Sequence, residues 1–218
     1  IIAVIDRSNG ADAIVARSSK AKNIDDLKRG GLKIAFAPGS PSEHLLKVIS
    51  NDFDIPQWRT GKSWKIAVKS SQEAAKKLTV GEADVAILWE PDVTKTLRAN
   101  PDYVKIIGTE VAPRAIIDVL IAERNYARAN PEAVTMLLGN YFKSAYYYRT
   151  NPDMAVAHAA EYAKIDRRYI ADALKGIAWV NLAENATLWF GVTEPGQQPQ
   201  FGLIEAIEST TRILVEYG

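Results

Sequence analysis

The sequence predicts an α/β fold built on a mostly parallel sheet, and three stretches carry that prediction. Residues 34–43 read Ile-Ala-Phe-Ala-Pro-Gly-Ser-Pro-Ser-Glu. A short apolar run is ended by the turn pair Pro38-Gly39, and a helix start follows: Ser40 at the N-cap, Pro41 at the first helical position, Glu43 at the third. The same switch recurs at 65–73, where Ser70 and Glu73 form a second capping box, and at 82–91, where an apolar run ends in Trp89-Glu90-Pro91. Strands alternating with helices of about ten residues call for a sheet covered on both faces.

Taken in order, residues 1–5 are an apolar strand that opens without methionine or a signal peptide, as if cut from a longer polypeptide. Residues 6–10, Asp-Arg-Ser-Asn-Gly, read as a polar turn with Gly10 suited to positive φ. A strand at 12–17 follows, then a short helix capped by Asn23 and closed by Gly30 or Gly31. After the helix at 41–51, residues 53–65 have no clean period despite Trp58 and Trp64, and read as loop. Two strands, 103–108 and 116–122, end the alternation, and Asp118 interrupts the second as a buried charge needing a partner such as Arg114 or Arg7. Beyond residue 122 the pattern is helical. Asn130-Pro131, Asn151-Pro152 and Asp166 start three helices, and Val134, Leu137, Leu138, Tyr141, Phe142 and Ala145 form the stripe of the first. Residues 179–202 are irregular, with a turn at 194–199. A last helix over 203–217 presents Leu203, Ile204, Ile207, Thr211 and Leu214 as its buried stripe.

Composition narrows the function. An apolar fraction of 47% over 218 residues supports a real core. Lys and Arg number 27 against 26 for Asp and Glu, so nothing favours nucleic acid or an anionic membrane as partner. The Tyr146-Tyr147-Tyr148 run lacks the basic groove of a stacking platform. There is no cysteine, and the two histidines, His44 and His158, are far apart in sequence, which leaves a metal site or an acyl-transfer triad without support. The most apolar stretch, 115–122, is far shorter than the roughly 20 residues of a membrane helix.

The motifs at 24–30 (Ile-Asp-Asp-Leu-Lys-Arg-Gly), 33–40 (Lys-Ile-Ala-Phe-Ala-Pro-Gly-Ser) and 81–91 (Gly-Glu-Ala-Asp-Val-Ala-Ile-Leu-Trp-Glu-Pro) occur in an order and spacing that resemble the solute-binding proteins of bacterial ABC importers. The branch is the one for nitrate, sulfonates, taurine and thiamine precursors. The 81–91 motif is the most specific, and the resemblance runs over nearly the whole chain. The region 179–217 is similar to a subgroup followed by an outer-membrane-protein-A-like module. The resemblance implies a type II periplasmic-binding-protein fold. One complete α/β lobe would span 12–114, with 1–11 and 115–218 as crossing strands and the helical remainder of a first lobe whose opening elements are absent. It further implies capture of a small polar or anionic solute between the lobes without chemistry, no cofactor, a membrane permease as partner, and a periplasmic or cell-envelope location. Truncation would leave apolar surface able to dimerise. Alternatives on the same scaffold are a small-molecule lyase, a thiamine-pyrimidine synthase, whose cysteine-rich signature is missing, and a cell-wall-tethered receptor domain.

Candidate ligand contacts follow from the turns. Gly39, Ser40, Pro41, Ser42 and Glu43 either cradle a ligand at a helix N-terminus or only cap it, and the Glu43 charge opposes a strongly anionic ligand. Ser70 and Ser71 occupy the equivalent turn of the next unit. Trp89 offers an apolar wall and Glu90 an acceptor, or else a core residue and a helix-start charge. Ser8, Asn9 and Gly10 would reach the ligand from a crossing segment or form a tight turn, and Asp118 would meet either a structural partner or the ligand.

Overall fold

The computed structural model describes residues 1–196 and 198–217, so Gln197 of the 194–199 turn lies outside the described residues. The first strand, β1 (Ala3–Ser8), extends through Asp6 and Ser8, and the turn expected at 6–10 is confined to residues 9–11. The cause is pairing: β1 is held on both sides, by β7 (Ile117–Leu120) and β8 (Ile177–Trp179), in a three-stranded antiparallel sheet.

The larger sheet holds five strands in the order β4-β3-β5-β2-β6: β2 (Asp12–Arg17), β3 (Ile34–Phe36), β4 (Lys65–Ala67), β5 (Val85–Trp89) and β6 (Tyr103–Gly108). Strand β3 runs parallel to β4 and β5, whereas β2 runs antiparallel to both β5 and β6. The sheet is therefore mixed rather than mostly parallel by pairing. Four strands share one direction, and β2, which enters straight from β1 without a crossover helix, lies reversed between two of them.

Helices cover the faces as the capped turns require. Helix α1 (Ile24–Lys28) starts where Asn23 accepts from the Asp26 N–H, α2 (Pro41–Asp52) at Ser40, and α3 (Ser71–Thr79) at Ser70. Helix α4 (Asp92–Ala99) follows Pro91, which stands before its first turn rather than inside it. Alternation along β2 divides the core. Ile14 and Ala16 join Leu45, Ile49 and Phe36 on the α2 face, while Ala13 and Val15 join Ala74, Leu78 and Val93 on the α3–α4 face. The stretch without a period also belongs to this core: Ile55, Trp58 and Trp64 are buried, with Trp64 stacked 6.0 Å from Phe36. Aperiodic sequence hid them because they reach the core from a single 3₁₀ turn and a loop, one at a time.

The rest of the chain is α5 (Arg124–Ala129), α6 (Pro131–Thr150), α7 (Pro152–Ala163), α8 (Arg167–Ala173), α9 (Leu182–Glu184), a π turn at Asn185–Trp189 and α10 (Gly202–Tyr217). Its core is small: Val4, Val180, Trp189, Leu203 and Ala206. Helix α10 buries Leu203, Ala206 and Ile213, so the expected stripe is correct at Leu203 but rotated elsewhere, leaving Ile204, Ile207 and Leu214 about half exposed. Helix α6 buries no residue, and its expected stripe is only partly covered.

Gly176 joins the two regions. Its carbonyl accepts from the N–H groups of Asn9 (2.8 Å) and Ala11 (3.2 Å), and a Cβ added there would lie 2.8 Å from the Ala11 nitrogen. Gly176→Ala should therefore cost about 1–3 kcal/mol, measured by urea denaturation, as backbone is forced off backbone. Gly139→Ala, where an added Cβ meets nothing, should be neutral or stabilising.

Candidate functional site

Because β3, β4, β5 and β6 share a direction, their carboxyl ends fall on one edge of the sheet, together with the start of the reversed β2. Topology thus gathers Gly39 to Glu43, Ser70 and Ser71, Trp89 and Glu90, Asp12 and Thr109 along a single rim. Both chain crossings pass there. One is residues 9–11, between β1 and β2; the other is residues 109–116, between β6 and β7, which opens with a 3₁₀ turn at Thr109–Val111.

The crossings are fastened by a buried pair of hydroxyls. Ser8 Oγ lies 2.6 Å from Thr109 Oγ1; Thr109 accepts from the Gly10 N–H at 2.8 Å, and Ser8 from the Asp12 N–H at 3.1 Å. Ser8 is therefore spent on structure, whereas Asn9 is exposed beside it. Gly10 has φ +100°, and an added Cβ would meet the Glu110 carboxylate at 2.9 Å, so the crossing needs glycine for both conformation and space.

Most side chains of the helix-start turns are also engaged. Ser40 Oγ donates to the Ala37 carbonyl and accepts from the Ser42 N–H; Ser42 is fully buried. Glu43 reaches back one residue beyond the N-cap, accepting from the Gly39 N–H at 2.7 Å, and its other oxygen lies 3.5 Å from Lys47. Its charge is thereby offset, which weakens the repulsion expected against an anion. Ser70 caps Glu73, and buried Ser71 both donates to the Trp89 carbonyl and accepts from its N–H. Glu90 is no free acceptor: its oxygens take the Thr94 hydroxyl (2.7 Å) and N–H (3.1 Å) as a helix cap, and burial raises its pKa. Exposed Gly39 and Pro41 and part-exposed Trp89 remain open on the rim.

Asp118 is exposed rather than buried, and the ion pair of Arg114 is with Glu205. The strand of Asp118, β7, is an edge strand of the small sheet, paired with β1. The buried carboxylates are two residues that sequence reading passed over, Asp6 (9% exposed) and Asp12 (5% exposed). Asp6 stands opposite Asp118 in the β1–β7 register. Burial first, then the Asp118 and Asp12 charges, push Asp6 up to about 7. Burial is also the leading cause for Asp12, raised to about 6 against the opposing Ser8 hydrogen bond, with Asp118 and Glu90 adding to the rise. Polar residues in the pattern Asp6-x-Ser8 had suggested a turn; the missed signal was their continuation of the strand's alternation.

Two concavities lie beside β8, both lined in part by Trp179 and Val180. One of about 390 Å³ is lined by Phe142, Tyr146, Arg149 and Trp179, the other of about 280 Å³ by Arg7, Glu184 and Trp189. Neither includes a candidate ligand contact. Among the described residues no three His, Cys, Asp or Glu side chains are grouped to hold a metal ion, and no helix is long and apolar enough to cross a membrane.

Two outcomes follow. Ser8→Ala orphans the Asp12 N–H and loosens Thr109, and should cost about 1–3 kcal/mol in urea denaturation. For Asp6 the folded pKa is raised, so between about pH 4 and 7 the folded chain holds a proton that the unfolded chain has released, and this contribution falls as pH rises. Asp6→Asn should therefore be more stable than the parent at about pH 7.5, with the gap shrinking toward about pH 5. Equal gaps at both pH values would refute the assignment.

No family model and no curated protein matches the chain. Solved structures do. A putative sulfonate ABC-transporter periplasmic binding protein from Methylobacillus flagellatus KT aligns over 100% of this chain and 62% of its own, with TM-score 0.72 and 19% identity. The periplasmic aliphatic sulphonate-binding protein of Escherichia coli aligns over 84% of this chain and 60% of its own, with TM-score 0.64 and 21% identity. A desulfurization enzyme has the same fold at TM-score 0.63 and 11% identity, over 98% of this chain and 71% of its own. The chain spans about 60% of the length of the two binding proteins and has, over that span, the periplasmic-binding-protein fold.

Proposed function

We propose that this chain is a solute-binding part of an ABC-type importer, capturing a small polar or anionic solute without chemistry and presenting it to a membrane permease in the periplasm or cell envelope. The observation that carries the reading is the rim itself: four strand ends, two capped helix starts and both chain crossings open on one edge. Residues 12–114 form the lobe that owns the rim, and 1–11 with 115–218 supply the crossings and part of the opposing lobe. Backbone similarity to two periplasmic sulfonate-binding proteins supports the same reading. Closure about crossings is the usual way such a scaffold traps a solute. In this reading Gly39, Ser40 and Pro41 offer backbone and cap edges to the solute, Asn9 and Ser70 flank it, and Trp89, held by buried Ser71, is its wall.

A catalytic reading has one observation behind it, the use of this fold by a desulfurization enzyme. Incubation with candidate substrates and mass spectrometry separates the two, since turnover would overturn the binding reading.

The direct test is thermal shift of this chain against nitrate, alkanesulfonates, pyrimidines, amino acids and phosphate compounds. At least one class should raise the melting temperature in a concentration-dependent way, and Trp89→Ala should weaken that response about tenfold, equivalent to about 1.4 kcal/mol. A folded chain silent to the whole panel would refute the proposal.

A further inference from the structure

The floor between the crossings carries charge of one sign. Asp6 is nine-tenths buried, yet its carboxylate makes no hydrogen bond or ion pair, and it faces Asp118 across β1–β7 and Trp179 across β1–β8. Directly opposed residues in antiparallel strands share a face with Cβ atoms about 4.5–5.5 Å apart, so Asp6 sits between a carboxylate and an indole. Asp12, buried at the head of β2, stands opposite Trp89 in the same way. The Tyr141 hydroxyl is sealed from solvent without a partner, and after burial the Asp6 charge is what raises its pKa.

Lys105 is tied to Glu110 and the Gly10 carbonyl, Arg114 to Glu205 and Lys47 to Glu43; Arg149, in the concavity beside Trp179, lies over the Tyr146 ring, and Arg7, next to Asp6 in β1, alternates to the opposite face. A buried carboxylate left unpaired opposes folding, and pairing it with a desolvated cation would remove that opposition. A metal ion does not fit, since no three ligating side chains are grouped among the described residues. Aromatic faces at Trp179 and Trp89 suit an organic cation instead.

We propose that the Asp6–Asp118 pair, walled by Trp179, is a subsite for a positively charged group of the solute, a primary ammonium or a guanidinium, with Asp12 adding its charge from the head of β2. This rests on the solute-binding reading and specifies its ligand: the solute is a cation or a zwitterion, with its positive end on the crossings and its polar or anionic end on the rim of helix starts.

The test is isothermal titration of the chain with cadaverine, its neutral isostere 1,5-pentanediol, agmatine and ethanesulfonate. Cadaverine or agmatine should bind at least about tenfold tighter than the diol, and Asp6→Asn and Asp118→Asn should each weaken that binding about tenfold or more. Asp25→Asn, remote on α1, should leave it unchanged. Loss of the Asp6 charge relieves repulsion, so that variant should stay folded, which circular dichroism checks. Cations bound no better than the diol, or bound equally by the Asn variants, would overturn the subsite. Binding of ethanesulfonate alone would sink the cation inference and leave the solute-binding reading standing. Silence to these probes and to the thermal-shift panel by a folded chain would sink both.

Discussion

Two hydroxyls 2.6 Å apart, Ser8 on β1 and Thr109 after β6, hold together parts of the chain separated by 101 residues. Everything at the rim depends on that contact. It fixes where β1 ends and β2 begins, and with the Gly10 and Asp12 N–H groups drawn to the same hydroxyls, it satisfies the polar backbone of a crossing with no sheet partner of its own. The Gly176 carbonyl completes the arrangement from the other side. A crossing so tied has few degrees of freedom.

The rim's electrostatics follow from how its acids are used. Glu43 and Glu90 look alike in sequence, each a glutamate near a helix start, and both end as caps with their charge shared among N–H, hydroxyl or ammonium donors. Asp6 and Asp12 sit deeper and have no such donors beyond Ser8. Donors therefore offset the charge at the edge, whereas deeper in, burial raises the carboxyl pKa values instead.

How much of this was legible in the sequence depended on whether the signal was local. Ser40, Ser70 and Asn23 announce their helices because a cap bonds within three residues, and β2 and β6 fall where their apolar patterns place them. Trp58 and Trp64 were opaque because a loop carries no period, and β8 because three residues cannot show one. Direction was equally hidden: nothing in Asp12–Arg17 says that this strand runs against its neighbours. At the site, the turns could be listed but not their state of engagement. Whether Ser42 faces a ligand or the Ala37 backbone is decided by a rotamer, not by spacing.

The reversed strand also bears on how the chain acquires its structure. β2 precedes both its partners, β5 and β6, by more than 65 residues. It cannot enter the sheet until the units β3–α2 and β4–α3 and then β5 have been made, and its apolar residues Ile14 and Val15, wholly buried at the end, stay uncovered in the interval. Pairings this distant in sequence are slow to close. During synthesis a strand that ends between β5 and β6 therefore waits for both neighbours, and its apolar edge is on display for as long as it waits.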